Sequence, residues 1–352
     1  MRWAAVVAVL VAVGLAAAPA APAFARAGDA QELCRITDPA VVEASGLAAL
    51  PGGGYVVEND SNPEPRRIRV FYLGADCSLT RSVGYPTTAR DPEDLAVDRR
   101  GVVWVADIGD NSPLSGGSGK RRDTIALWTL APGAKSMKIH RLRYPDGVPR
   151  DAEALLIDGA GRPIIVTKDP GGEVYRLDTP LPTDNAEGAP LTLVGHFAPT
   201  HSGTDNPLGF IGNALITGGA VSPDGTHAVL RTYSDAYEFD VTGGDVAAAI
   251  TGGTPRVTPL PGEPQGEAIA YTPDGTGFLT VSDQSGPVSI LRYHIERPAP
   301  THPPATSAPA PASPVPAGAV TDRRARVALL AGAFVVVAIG LVAGLARRAR
   351  RR

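Results

Sequence analysis

Five recurring hairpin units, the Gly-, Pro-, Asp- and Asn-rich turns between them, and the lack of a convincing amphipathic helix together predict an all-β chain folded as a β-propeller. The units lie between about residues 31 and 296 of a 352-residue chain. Ser45-Gly-Leu-Ala is followed by Tyr55-Val-Val-Glu-Asn-Asp60, and Glu93-Asp-Leu-Ala-Val-Asp98 by Val102-Val-Trp-Val-Ala-Asp107. Glu153-Ala-Leu-Leu-Ile-Asp158 leads to Pro163-Ile-Ile-Val-Thr-Lys-Asp169. Thr217-Gly-Gly-Ala-Val leads to Ala228-Val-Leu-Arg-Thr-Tyr233, and Glu267-Ala-Ile-Ala-Tyr to Phe278-Leu-Thr-Val-Ser-Asp283. The last two share a Ser/Thr-Pro-Asp-Gly-Thr turn, at 222–226 and 272–276, which fixes their mutual register. The unit starts, at residues 45, 93, 153, 217 and 267, recur at intervals near the length of a propeller blade.

A third strand follows each hairpin, and a fourth is traceable in most units, for example over Lys138 to Tyr144 and Leu191 to Phe197. The last unit runs into a Pro-rich stretch before its outer strand. Leu33 to Ile36, at the other end of the domain, is expected to supply that strand and close the ring. The count is five blades, with six as the alternative if a degenerate unit lies between Phe197 and Ile216.

The ends of the chain read differently. Met1-Arg2, the apolar run from Ala4 to Ala18 and the small residues of Ala23-Phe24-Ala25 have the order of a secretory signal peptide, assigned to 1–27. The propeller is assigned to 28–297 and a Pro/Ala-rich linker to 298–322. A single transmembrane helix is assigned to 323–346, where Val327 to Ala346 carries no charge and is long enough for a bilayer. The Arg-rich segment 347–352 is then a cytoplasmic tail. No LPxTG-type motif precedes the apolar run, so the anchor reads as retained. The expected location is the cell membrane, single-pass, with the propeller outside. Cys34 and Cys77 fall in the exported part, where one disulfide is expected. A net charge of −3 gives no footing for nucleic acid.

The repeat also makes a functional statement. An antiparallel hairpin sets the start of its first strand beside the end of its second. In a blade the first strand is innermost, so these positions from all units meet on one face around the axis. They are polar throughout: Ser45 with Glu58, Asn59 and Asp60; Glu93 with Asp107, Asp110 and Asn111; Glu153 with Lys168 and Asp169; Thr217 with Arg231 and Tyr233; Glu267 with Asp283. So many carboxylates cannot all ionise at one mouth without a cation or a basic partner. Oxygen-rich clusters of this kind suit Ca2+, and Glu93, Asp107 and Asp110 are the candidate ligands. Lys168, Arg231 and Arg90 are the candidates for neutralising the ring or gripping a small anion. The competing expectation is that the same carboxylates tie neighbouring blades together. The Asp107-Ile-Gly-Asp-Asn111 cluster does not have EF-hand spacing.

Catalytic signatures are missing: there is no HExxH, no Gly-x-Ser-x-Gly and no Cys/His zinc spacing. Gly116-Gly-Ser-Gly-Lys120 has the wrong glycine spacing for a phosphate loop, and Arg121 stands where that loop needs Ser or Thr. The segments around Ser45-Gly-Leu-Ala, Pro92-Glu-Asp-Leu-Ala, Asp107-Ile-Gly-Asp-Asn, Glu153-Ala-Leu, Leu230-Arg-Thr-Tyr and Gln265-Gly-Glu-Ala-Ile resemble a group of secreted bacterial propellers. They are similar in style to the esterase-like phytase propellers. That resemblance implies the propeller fold over residues 31 to 296, and calcium held by acidic residues of one face to bind phosphate. Here Ser45 and Thr217 replace acids at two inner positions. The expected function is therefore an extracytoplasmic binding module for a small anionic ligand or a cell-envelope protein. Calcium-dependent phosphoester hydrolysis on the same face is the alternative.

Overall fold

A computed structural model describes residues 30–110, 121–183 and 186–297. It shows five sheets, in agreement with the count of five blades. β1 (Gln31–Ile36) precedes the first blade, which is formed by β2 (Ala44–Ala49), β3 (Tyr55–Asn59), β4 (Arg69–Leu73) and β5 (Leu79–Gly84). The second contains β6 (Pro92–Val97), β7 (Val103–Asp107), β8 (Ile125–Leu130) and β9 (Lys138–Arg143). The third contains β10 (Ala152–Ile157), β11 (Pro163–Thr167) and β12 (Glu173–Arg176); its outer strand is β14 (Thr192–His196), because β13 (Ala189–Pro190) pairs parallel with β9 instead. The fourth is β15 (Ile216–Val221), β16 (His227–Thr232), β17 (Asp235–Asp240) and β18 (Arg256–Pro259). β19 (Gly266–Tyr271), β20 (Gly277–Ser282) and β21 (Val288–His294) begin the fifth, and β1 completes it by pairing antiparallel with β21. The N-terminal closing strand expected from the sequence is thus present.

The segment between Phe197 and Ile216 holds no sixth blade; it is a connection with one short helix, α1 (Gly209–Gly212). A second helix, α2 (Val246–Gly252), was not legible in the sequence. It is only seven residues long, too short to show a 3.6-residue period. Tertiary burial of Val246, Ala247, Ala249 and Ile250 sustains it, together with an Asp245 side chain that accepts the Ala248 amide.

Alternation along each strand sends successive side chains to the two faces of its blade, and each face packs on a neighbour. The core accordingly forms five layers, one per blade–blade interface. Leu47, Phe71, Leu279 and Ile290 belong to the layer that joins the fifth blade to the first. Trp128 with Val56 and Val70 joins the first to the second. Each fully buried Leu, Ile or Phe contributes about 1.5–3 kcal/mol. The Cys34–Cys77 disulfide adds a covalent link between β1 and the turn after β4, across the same interface that β1 closes. The whole ring and its closure lie within 30–297. The domain therefore holds everything it needs to fold by itself. The expected signal peptide, linker, transmembrane helix and tail lie outside the described residues. Among the described residues no helix is long and apolar enough to cross a membrane.

Candidate functional site on the axial face

The register of the innermost hairpins shows how the polar ring is made. In every blade the pairing of the first two strands slips by one residue near its start. The skipped residues are Ser45, Glu93, Glu153, Thr217 and Glu267. Each is the extra residue of a β-bulge, a feature that re-aims a side chain out of the regular ladder. Two of the five tie blades together: the Ser45 hydroxyl donates to the Glu93 carbonyl at 2.8 Å, and that of Thr217 to the Gly266 carbonyl at 3.0 Å. The three glutamates are the ionisable members, and all three are buried.

Two groups of carboxylates are brought together among the described residues: Asp60, Asp91 and Glu93, and Glu93, Asp151 and Glu153. Within each group the oxygens lie within 4.8 Å of one another. That is the spread available to oxygens sharing one Ca2+ at 2.3–2.6 Å. Glu93 belongs to both groups. Its Oε1 is buried and has no hydrogen-bond partner, and the same is true of Glu153 Oε2. Gly109 lies against the Glu93 and Asp91 carboxylates so closely that any Cβ there would overlap Glu93; only glycine allows this approach.

Lys168 is the single lysine of the ring. Its ammonium pairs with Glu153 and sits 5.4 Å from the centre of the Tyr233 ring. Burial opposes its charge, but Glu153 and Glu267 outweigh that and raise its pKa. Gln265 bridges the other acids of this side, donating to Glu267 at 3.0 Å and Asp283 at 2.7 Å. The ring is thus asymmetric. Lys168 pairs directly with Glu153, while at Glu93 its charge acts only from a distance.

Other sequence candidates are placed elsewhere. Asp107 accepts the amides of Arg90 and Asp91, the Trp128 indole at 3.2 Å and the Arg122 guanidinium at 2.7 Å. Asp110 pairs with Arg90 at 3.2 Å and with Arg121 at 2.7 Å. Asp107 is taken up by Arg122, two amides and an indole, and Asp110 by two arginines, so of the cation set Glu93, Asp107 and Asp110, only Glu93 joins a carboxylate group among the described residues. Arg231 is fully buried against Glu263 at 2.9 Å, between the fourth and fifth blades, and does not line the ring. Asn111 lies outside the described residues.

Sequence reasoning named Asp60 in passing and missed Asp91, Asp151 and Gln265. The signal was available, since each of the last three stands two positions before a bulged glutamate: Asp91 before Glu93, Asp151 before Glu153, Gln265 before Glu267. Their carbonyls accept the amides of Gly109, Lys168 and Asp283 and so resume the ladder beyond the bulge. Asp94, directly after Glu93, was also missed. It is buried on the inner strand and accepts the amides of Leu95 and Leu155 at 2.8 Å and of Gly219 at 3.2 Å, tying three blades together.

Burial pushes the Glu93 and Asp60 carboxyls well above the usual range, and repulsion adds to it, from Asp60 on Glu93 and from Asp91 on Asp60. Burial likewise raises Glu58, next to Asp94, and brings Glu267 to about 7. In the unfolded chain these groups titrate near 4. Raised folded pKa values stabilise the fold below about pH 4, and that stabilisation is lost as pH rises through the folded values. Asp224 and Asp274, lowered to about 2, act oppositely but only below about pH 4. The expected result is a melting temperature several degrees higher at pH 5 than at pH 8 in chelator, measured by circular dichroism on residues 28–297. A flat profile would mean the ring is neutralised within the protein.

No family model matches this chain, and no curated protein does. Among solved structures it is similar to the PQQ-bound aldose sugar dehydrogenase of Streptomyces coelicolor, at 14% identity over 78% of this chain and 100% of that one, TM-score 0.40. It is also similar to the glutaminyl cyclase of Myxococcus xanthus, at 12% over 78% and 100%, TM-score 0.47. A third is a gluconolactonase of Xanthomonas campestris, at 13% over 78% and 99%, TM-score 0.38. These are likenesses of fold.

Proposed function

We propose that the domain is an extracytoplasmic binding module that takes a divalent cation, Ca2+, on its acidic axial face and through it a small anionic ligand. The observation that carries this reading is Glu93: a buried carboxylate with an unpartnered oxygen, shared by two carboxylate groups of cation-binding size. An uncompensated charge of that kind is costly unless a cation or a proton meets it. Ca2+ accepts six to eight oxygens in flexible geometry, which suits a ring of carboxylates on separate strands. Lys168 supplies a fixed positive charge at the ring for the anion.

β21 runs away from the acidic face, and Arg297 bonds the Gly275 carbonyl in the turn between β19 and β20, at 2.8 Å. Arg297 therefore lies on the face opposite the site.

Calorimetric titration of residues 28–297 with Ca2+ tests the proposal. One site of about 10⁻⁴–10⁻³ M is expected, the range of extracellular modules, weakened at least about tenfold in Glu93→Gln through loss of one charged ligand. Absence of binding at millimolar Ca2+, or unchanged binding in the variant, would overturn it. A second reading, calcium-dependent phosphoester hydrolysis, draws on the sharing of Glu93. Two groups with a common carboxylate suit two cations that clamp one oxyanion. Turnover of an aryl phosphate that needs Ca2+ and is lost in Glu93→Gln would favour it; phosphate binding without turnover favours the binding module.

A further inference from the structure

The opposite mouth of the axial channel is chemically unlike the acidic one. Between the five hairpin turns opens a cavity of about 350 Å³. Its wall is apolar toward the strands and polar at the rim, and is drawn from every inner strand, with Leu47, Leu95, Val97, Ile157, Val221 and Ala270 among the lining residues. Asp94 separates the two mouths: its carboxylate is bonded to the amides of Leu95 and Gly219, which line this cavity. The volume lies at the lower end of the range for small-molecule sites, and an apolar wall with few polar groups is their usual composition.

The rim carries the selectivity. The turn carboxylates there are already engaged: Asp98 by Arg100 and Trp104, Asp158 by Arg162, Asp224 by Ser222 and Thr226. Arg99 is different. It is exposed, donates to the Asp224 carbonyl at 2.7 Å, and forms no ion pair among the described residues. A guanidinium keeps further donors for an anionic group after one such bond. We infer that this cavity is a second binding site, for a small amphipathic anion: a compact aryl or branched alkyl body in the channel, with its carboxylate or sulfonate on Arg99. The inference is independent of the cation site, which lies on the other face.

Fluorescence titration of residues 28–297 with anilinonaphthalenesulfonate, and with its uncharged counterpart phenylnaphthylamine, tests it. The expected result is one site for the anion, about tenfold tighter than for the neutral probe, as for a hydrogen bond to a charged group. Arg99→Gln should bring the two probes to equal affinity, and Ala220→Phe, which fills the cavity, should abolish both. Phe210→Ser, on the exposed α1 segment, and added chelator should change neither. Equal affinity of the two probes for the native domain, no effect of Arg99→Gln, or loss of binding in Phe210→Ser would each overturn the assignment. Arg99→Gln sits at an exposed position and decides the matter even if Ala220→Phe fails to fold.

Discussion

A domain trimmed to begin at Asp38 is expected to show no cooperative melting transition. The trimming removes β1, and with it the five register positions paired to β21, the buried Ile36 side chain and one half of the disulfide. It leaves β21 as a bare edge and opens the interface between the fifth and first blades, where Leu47, Phe71, Leu279 and Ile290 pack. The disulfide alone, closing a loop of 43 residues, accounts for roughly 4 kcal/mol on the chain-entropy view. Its loss and that of the strand together approach the 5–15 kcal/mol that holds a whole domain folded. Circular dichroism against temperature reads the outcome directly. A synthetic peptide of residues 28–37 should restore the transition by adding itself to the open edge. If the trimmed domain melts within a few degrees of its parent, the ring does not depend on its closing strand.

The second large effect is expected at Arg231. Its guanidinium donates to Glu263 at 2.9 Å, to the Ala268 carbonyl at 3.0 Å and to the Thr232 carbonyl at 3.0 Å, wholly out of solvent. Glu263 is also held by the Thr280 hydroxyl at 2.6 Å. Gly266 packs directly on the guanidinium, where any side chain would collide with it. Arg231→Met strands a buried carboxylate, a loss of about 3–5 kcal/mol and a melting temperature lower by on the order of 10 °C for a domain of this size. The double variant Arg231→Met, Glu263→Leu should recover most of the loss, because it removes both charges and keeps apolar volume. Equal losses in the single and double variants would show that the pair contributes through its contacts with backbone carbonyls rather than through its charges.

How much of this was legible in the sequence differs between fold and site. The hairpins declare themselves through Ser-Pro-Asp-Gly-Thr-type turns and short Val- and Ile-rich strands, local features that depend on neighbours in the chain. Even the closing strand followed from counting, since the fifth unit lacked an outer member and Leu33 to Ile36 had nowhere else to pair. The polar ring was also readable, because hairpin geometry alone brings Glu93, Glu153 and Glu267 to one mouth. What failed was the assignment of partners. Arg231 looks like any strand-end cation until its register shows that it faces Glu263 across a blade interface. Asp107 and Asp110 look like an oxygen cluster until Arg90, Arg121 and Arg122 close on them. Pairings between residues on different loops and blades leave no trace in local composition. Asp91 and Asp151 were hidden for another reason: the two-residue offset before a bulge matters only once the bulge is known.

The bulges have a consequence for how this scaffold can change. A bulged residue is outside the ladder, so its side chain does not have to suit the sheet. Ser, Glu, Glu, Thr and Glu occupy the five equivalent places without altering the blades around them. The three glutamate places therefore work as interchangeable sockets on a frame that Ser45 and Thr217 help to hold together. Substitution at those three alters the chemistry of the mouth while leaving its architecture alone, and the descendants of one such chain could diverge in ligand through these three codons before any strand had to move.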